Sequence, residues 1–321
     1  AKRLGLSFGL LPFSNIGYSY SNTKALNSTD GSTSVVKATN TYSGTGGLHQ
    51  VYLGLGWSPF KGFAIGVNAA YLWGDYSRSV INSYTDAYAN TLSKYYTAEV
   101  HNYKLDFGMQ YTQKITKNDA ITLGVTYGLG HKLSSDPKCQ IISTNAQTAV
   151  ADTATYSIGN GLELPHSYGV GLMWNHANRW RVGADYTLQK WSSVAYPKFD
   201  TSTNSYELVS GQFADRHKMT VGGEFCPDER SRNFFKRVHY RMGASYATDY
   251  LKIKGQNGPK EYSVSAGFGI PIVNGYNNRS LLNISAQWVR QDSKTFVTEN
   301  SFRINIGLTF NERWFAKWKM E

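Results

Sequence analysis

The chain has 321 residues, and its 23 Tyr, 15 Phe and 8 Trp are far more aromatic surface than a disordered chain carries. Its mean hydropathy is −0.41, and no run approaches the ~18 apolar residues of a spanning helix, so a bundle of membrane helices is excluded. Lys+Arg outnumber Asp+Glu by 33 to 22, a net charge of +11, but the cations are scattered, which argues against nucleic acid and for anionic head groups or an acidic partner.

Period-two alternation runs through nearly the whole chain. It predicts strands over about 4–20, 47–58, 63–80 and 94–114 in the first third. In the last of these, Tyr103, Leu105, Phe107, Met109 and Tyr111 alternate with Lys104, Asp106, Gly108, Gln110 and Thr112. Strands at 120–134, 163–175, 180–194 and 210–225 follow, with Val182, Ala184, Tyr186 and Leu188 against Arg181, Gly183, Asp185 and Thr187. The last four are 237–253, 261–274, 280–293 and 298–310, where Phe302, Ile304, Ile306, Leu308 and Phe310 share one face. Successive strand side chains point to opposite faces, so each segment has one apolar and one polar side.

The connections alternate in length. Short turns such as 59–62, 116–119 and 175–178 are interleaved with long polar loops at 21–46, 81–93, 135–162 and 195–209. The connection at 226–236 is the longest on the short side. A soluble sandwich shows the same alternation of faces, but it has no reason to gather its long loops at one end. A transmembrane barrel does. Strands reach the ~9–11 residues that a tilted spanning strand requires. Trp57, Trp174 and Trp180 sit by short turns, and Trp73 and Trp191 by long loops, as two aromatic girdles would. The reading is an all-β, antiparallel transmembrane barrel with about twelve strands over 1–310 and a separate aromatic, basic tail at 311–321.

Leu164-Pro165-His166-Ser167-Tyr168-Gly169-Val170-Gly171, then Val182-Gly183-Ala184-Asp185-Tyr186, then Lys190-Trp191-Ser192-Ser193, resemble the FadL-type outer-membrane barrels. Phe213-Ala214-Asp215, the strand from Met219 to Gly223, the strand from Tyr240 to Tyr246 and the glycine-rich Ser263–Gly269 continue the resemblance in order. Leu4–Phe13 resembles the family's third strand. The resemblance implies fourteen strands in a complete protein and a plugging N-terminal hatch with an Asn-Pro-Ala segment. That segment is absent from this sequence, so the expectation is that the hatch and first hairpin precede residue 1 or are lacking. The resemblance also implies location in the outer membrane of a Gram-negative bacterium, with long loops extracellular and termini periplasmic.

What the family imports is hydrophobic, long-chain fatty acids above all, and a kinked strand opens its wall sideways. Pro12, inside the first strand, cannot donate to the ladder. Pro12, Phe13 and Gly17 are therefore the candidate wall break; the plainer alternative is that Pro12 ends a short strand before an extracellular extension. Lys104, Arg181, Arg241 and Arg303 lie on the polar face, with Lys218 and Arg237 as further candidates, and any could pair with a ligand carboxylate. Asp106, Asp185, Glu224 and Glu261 share that face, and mutual neutralisation is the stronger reading. In the tail, Trp314, Phe315 and Trp318 fall on one helical face beside Arg313, Lys317 and Lys319, which suits membrane or partner docking.

The seven histidines have no metal-ligand spacing, and no G-x-S-x-G is present. No catalytic residue, metal or cofactor is expected. Cys139 and Cys226 are read as unpaired. Two functions remain. One is passive uptake of hydrophobic molecules through a lateral opening. The other is a FadL-type barrel serving as a subunit of a larger outer-membrane machine, for barrel assembly or type IX secretion. Outer-membrane lipid and a hydrophobic small molecule are the expected partners of the first, and other outer-membrane proteins those of the second.

Overall fold

The computed structural model describes residues 3–26, 35–253, 255–273, 279–293 and 298–310. Trp314, Phe315 and Trp318 lie outside the described residues. In chain order the strands are β1 Leu4–Leu26, β2 Val36–Trp57, β3 Phe63–Tyr84, β4 Thr91–Lys114, β5 Asp119–Gly128, β6 His131–Leu133, β7 Lys138–Thr144, β8 Ala151–Ser157, β9 Leu162–Leu164 and β10 Ser167–His176. They continue with β11 Trp180–Gln189, β12 Tyr196–Asp200, β13 Ser205–Val209, β14 Arg216–Phe225, then helix α1 Phe234–Arg237, β15 His239–Ala247, β16 Lys252–Ile253, β17 Gln256–Asn257, β18 Lys260–Val273, β19 Arg279–Asp292 and β20 Glu299–Thr309.

One antiparallel sheet carries the fold. Its neighbours run β1-β2-β3-β4-β5-β10-β11-β14-β15-β18-β19-β20, with β7 and β8 added beside β4. The twelve strands on that path answer the twelve expected from alternation. Among the described residues no pairing joins β1 to β20, so both remain edges.

Where the structure departs from expectation is at the loop end. The loop expected at 21–46 is mostly strand, since β1 runs to Leu26 and β2 starts at Val36. That expected at 81–93 shrinks to the six residues between Tyr84 and Thr91. The one at 135–162 contains the β7–β8 hairpin, and the one at 195–209 is the β12–β13 hairpin. These segments are rich in Ser, Thr, Asn and Tyr, which read as loop because they lack an apolar face. Outside a bilayer a strand needs no such face, only a paired neighbour. β1 to β4 thus overhang the ten-residue strands β5, β10 and β11 by about 12 residues, or ~40 Å.

The two faces of the wall settle which solvent each meets. Leu123, Val125, Tyr168, Val170, Leu172, Val182, Val221 and Phe268 remain 40–52 % exposed on one face. A soluble sandwich would bury that set; a bilayer covers it. No helix among the described residues is long and apolar enough to cross a membrane. Trp57, Trp174 and Trp180 stand on the apolar face at the short-turn end, at 50 %, 41 % and 46 % exposure. Trp191 does not join a girdle; it lies in a 3-10 turn packed against loop residues.

The opposite face is unusually bare. Gly5, Gly56, Gly66 and Gly108 stand in register across β1 to β4. Gly183, Gly222 and Gly243 do the same across β11, β14 and β15. A Cβ at Gly5 or Gly108 would meet nothing within 4 Å. The lumen keeps a cavity of about 700 Å³ beside Asn68, Asp106, Gln110, Thr126 and Ser167.

Candidate functional site: lumen charges, wall bulge and covered mouth

Three of the four candidate lumen cations have acidic partners. Lys104 Nζ contacts the Asp106 carboxylate beside it on β4. Arg181 Nη1 donates to Glu224 Oε1 at 2.8 Å, and Arg241 Nε to Glu224 Oε2 at 2.6 Å. Glu224 therefore sits between two guanidiniums from the strands on either side of β14. Arg241 Nη1 also donates to Asn283 Oδ1 at 2.6 Å. His239 Nδ1 is 3.1 Å from Glu224 Oε1, off hydrogen-bonding geometry. Arg303, on β20, has no partner among the described residues. The four are not one cluster: Arg181 and Arg241 share Glu224, while Lys104 and Arg303 stand apart. Lys218 is on β14, but Arg237 belongs to α1 at the short-turn end and not to the wall. The sequence gives no sign of Asn283 or His239 as neighbours of this network, because their contacts depend on register across four strands.

Pro12 interrupts β1 without ending it. The register shifts between Pro12 and Ser14, and Phe13 has no partner on β2. The Ser14 hydroxyl accepts the Leu48 N–H at 3.1 Å, replacing a ladder bond. Pairing resumes and continues through Gly17↔Thr45 to Leu26↔Val36. Pro12 is thus a bulge inside a long strand, the position where a missing N–H is tolerated. It is not the terminus of a short one. The break continues sideways. Gly47 (φ +157°) and Gly74 (φ +146°) bring β2 against Ser14 O and β3 against Gly47 O. A bend line therefore crosses three strands where the wall leaves its apolar belt.

The mouth is crossed by hairpins. Leu133 of β6, with Leu162 and Leu164 of β9, packs on Leu48, Leu72 and Val100 on the inner side of β2 to β4. β12–β13 arises between β11 and β14, yet Phe199 and Tyr206 pack on Cys139, Tyr96 and Ile141 of β4 and β7. β5 and β10 lie between those positions in the wall, so this hairpin spans the opening. Tyr156 meets Phe199 at 5.2 Å between ring centres. Tyr196 stands edge-on to Phe213 at 5.6 Å, and Trp191 stacks on Tyr250 at 4.5 Å. Burial first, and then the neighbouring Tyr196 phenol, push the Tyr76 phenol far above its ordinary value. The Arg78 guanidinium lies 4.7 Å from the Tyr96 ring centre. Sequence patterning missed this cover. Its one signal was the aromatic content of segments read as loops.

A charged latch closes the base of the loop that carries β12–β13. Lys190 Nζ donates to Asp215 Oδ2 at 2.5 Å, and the Ser192 N–H to Asp215 Oδ1 at 3.0 Å. Burial raises the Asp215 pKa, but these donors outweigh it and hold the carboxyl at about 2, below the ordinary 3.8. A depressed folded-state pKa stabilises above the unfolded value and loses that contribution as pH falls from about 4 through 2. Asp215→Asn is expected to speed proteolytic nicking between β12 and β13 several-fold at pH 7. The difference from wild type should fade as the pH approaches 2; equal nicking rates at pH 7 would show that the latch holds nothing.

The CymD monoaromatic hydrocarbon channel aligns with 97 % of this chain and 90 % of its own, at 12 % identity and a TM-score of 0.60. The toluene transporter TbuX of Ralstonia pickettii gives the same coverages and identity at 0.56. A Pseudomonas aeruginosa FadL homologue gives 0.53 at 12 % identity, over 89 % of this chain and 69 % of its own. At such identities the likeness shows the fold, which is the FadL-type outer-membrane barrel that the strand motifs resemble. No curated protein matches the sequence. The BamG family model matches residues 1–321. The chain belongs to the BamG family.

Proposed function

We propose that this chain is an accessory, non-enzymatic subunit of an outer-membrane barrel-assembly machine. Its long loops face outward from a Gram-negative cell and its short turns face the periplasm. The observation that carries this reading is the family match over the whole chain. The site geometry fits it. Lys104, Arg181 and Arg241 already engage Asp106 and Glu224, and hairpins cross the mouth. A subunit needs a stable barrel with outward faces for its neighbours, not an open path. The other reading, passive uptake of a hydrophobic molecule, draws on the fold it shares with hydrocarbon channels and on the bulge at Pro12 and Phe13. It would need the cover displaced, and an acidic ligand would have to use Arg303 or draw a paired cation away from its carboxylate.

Native mass spectrometry of the protein extracted from its own membrane in mild detergent tests this. A stoichiometric assembly containing further barrel-assembly subunits is expected. A monomer carrying an acyl-chain or aromatic ligand would overturn the subunit reading in favour of uptake.

A further inference from the structure

Among the described connections at the short-turn end, one is built unlike the rest. Those between β2 and β3, β4 and β5, and β10 and β11 occupy 58–62, 115–118 and 177–179. The connection from β14 to β15 occupies 226–238 and contains α1. Outer-membrane barrels ordinarily keep this end short.

The segment is held by its own backbone. Cys226 and Val238 anchor its two ends, at 2 % and 4 % exposure. The Asp228 N–H donates to Lys236 O at 2.9 Å and the Arg230 N–H to Asp228 Oδ1 at 3.0 Å. The Asn233 side chain accepts the Phe235 N–H at 3.0 Å, and Tyr240 OH donates to Phe235 O at 3.1 Å. Thirteen residues are thus fixed in one shape, and what they display is not a polar turn. Phe234 and Phe235 meet edge to face at 5.6 Å, and Phe235 is 70 % exposed. Arg230, Arg232 and Lys236 are exposed in the same segment with no ion-pair partner among the described residues, and they outnumber its two acids, Asp228 and Glu229, of which Glu229 faces Arg181 at 3.8 Å.

Two occupants could cover such a knob: lipid or protein. The lipid boundary at this end is already marked by Trp57, Trp174 and Trp180, none more than 50 % exposed. Phe234 and Phe235 lie in the connection beyond Phe225, the residue that pairs with Trp180 at the end of β14, and not in a wall strand. A fixed aromatic pair with a cationic rim is also shaped for a socket; a bilayer makes no use of fixed shape, whereas a protein partner gains from pre-organisation. We propose that residues 226–238 are a docking knob for a protein whose surface offers an apolar socket rimmed by carboxylates, with Phe235 as the anchor. The proposal rests on the subunit reading above.

The test uses the full chain in its own membrane. A photo-crosslinking phenylalanine analogue is placed at Phe235, and at Tyr88 in a loop at the opposite end as a control. In parallel, Phe235→Ala and the pair Arg230→Glu, Arg232→Glu are purified, with heat-modifiable gel mobility confirming a folded barrel. The expected result is a protein adduct from position 235, co-purifying with the assembly, and none from 88. Both variants should yield at least about tenfold less assembly. Adducts to lipid alone, or full assembly from both folded variants, would overturn the knob and leave the subunit reading standing. A wild-type chain that forms no assembly overturns both.

Discussion

Gly74→Ala is expected to lower the unfolding free energy by about 3 kcal/mol, through strain at a positive φ together with a backbone clash. Gly74 has φ +146°, and a Cβ there would lie 2.2 Å from Gly47 O and 3.1 Å from Leu48 Cα. Neither atom belongs to a flexible side chain that can swing away, so β2 and β3 would have to part. Gly47 is constrained in the same way, with a Cβ 2.4 Å from Ser14 O. Together these glycines carry the bend that starts at the Pro12 bulge. The control is Gly108→Ala, where the new methyl meets nothing within 4 Å and the change should stay within about 0.5 kcal/mol. Urea unfolding of the folded barrel, followed by tryptophan fluorescence, reads both. A Gly74 variant that unfolds at the same midpoint as the Gly108 variant would show that the bend line is not a constraint.

The bend also marks the limit of what could be read from the sequence. Below it, each strand has an apolar face toward lipid, and alternation of the kind seen in Tyr103–Thr112 located every wall strand. Above it, the wall continues without that contrast. Residues such as Thr39, Asn40, Thr41 and Tyr42 pair with Thr23, Asn22, Ser21 and Tyr20 on one side and with Ser83 to Val80 on the other. Their backbone bonds are complete and neither face carries a run of apolar side chains, so no periodic signal is left. The lumen side chains fall between these cases. The presence of Arg181, Glu224 and Arg241 on one face followed from alternation, because each is inward in its own strand. That Glu224 lies between the two arginines required the cross-strand register, which pairs Arg181↔Glu224 and Glu224↔Arg241. The cover depended on contacts still more distant: Phe199 reaches Tyr156 and Cys139 from another loop, and nothing local encodes that approach.

Glu224→Ala should cost about 2–3 kcal/mol, somewhat below the 3–5 kcal/mol of breaking a fully buried pair. The discount follows from exposure. The Glu224 side chain is 17 % accessible, but Arg181 and Arg241 are each 38 % accessible and keep part of their hydration. Removing the carboxylate leaves two guanidiniums on the strands flanking β14 without the charge that joined them, Arg181 retaining only Glu229 at 3.8 Å, so the loss includes part of their repulsion. Arg303→Ala, which breaks no pair among the described residues, should change stability by less than about 0.5 kcal/mol. The informative measurement is the double-mutant cycle of Arg241→Ala with Glu224→Ala. Two side chains that serve chiefly to neutralise each other should show a coupling of about 1–2 kcal/mol. The double variant would then be less destabilised than the two single changes added together. A coupling near zero would mean that Arg241 is held by Asn283 alone and remains available to an acidic ligand, which is the arrangement that uptake through the lumen requires.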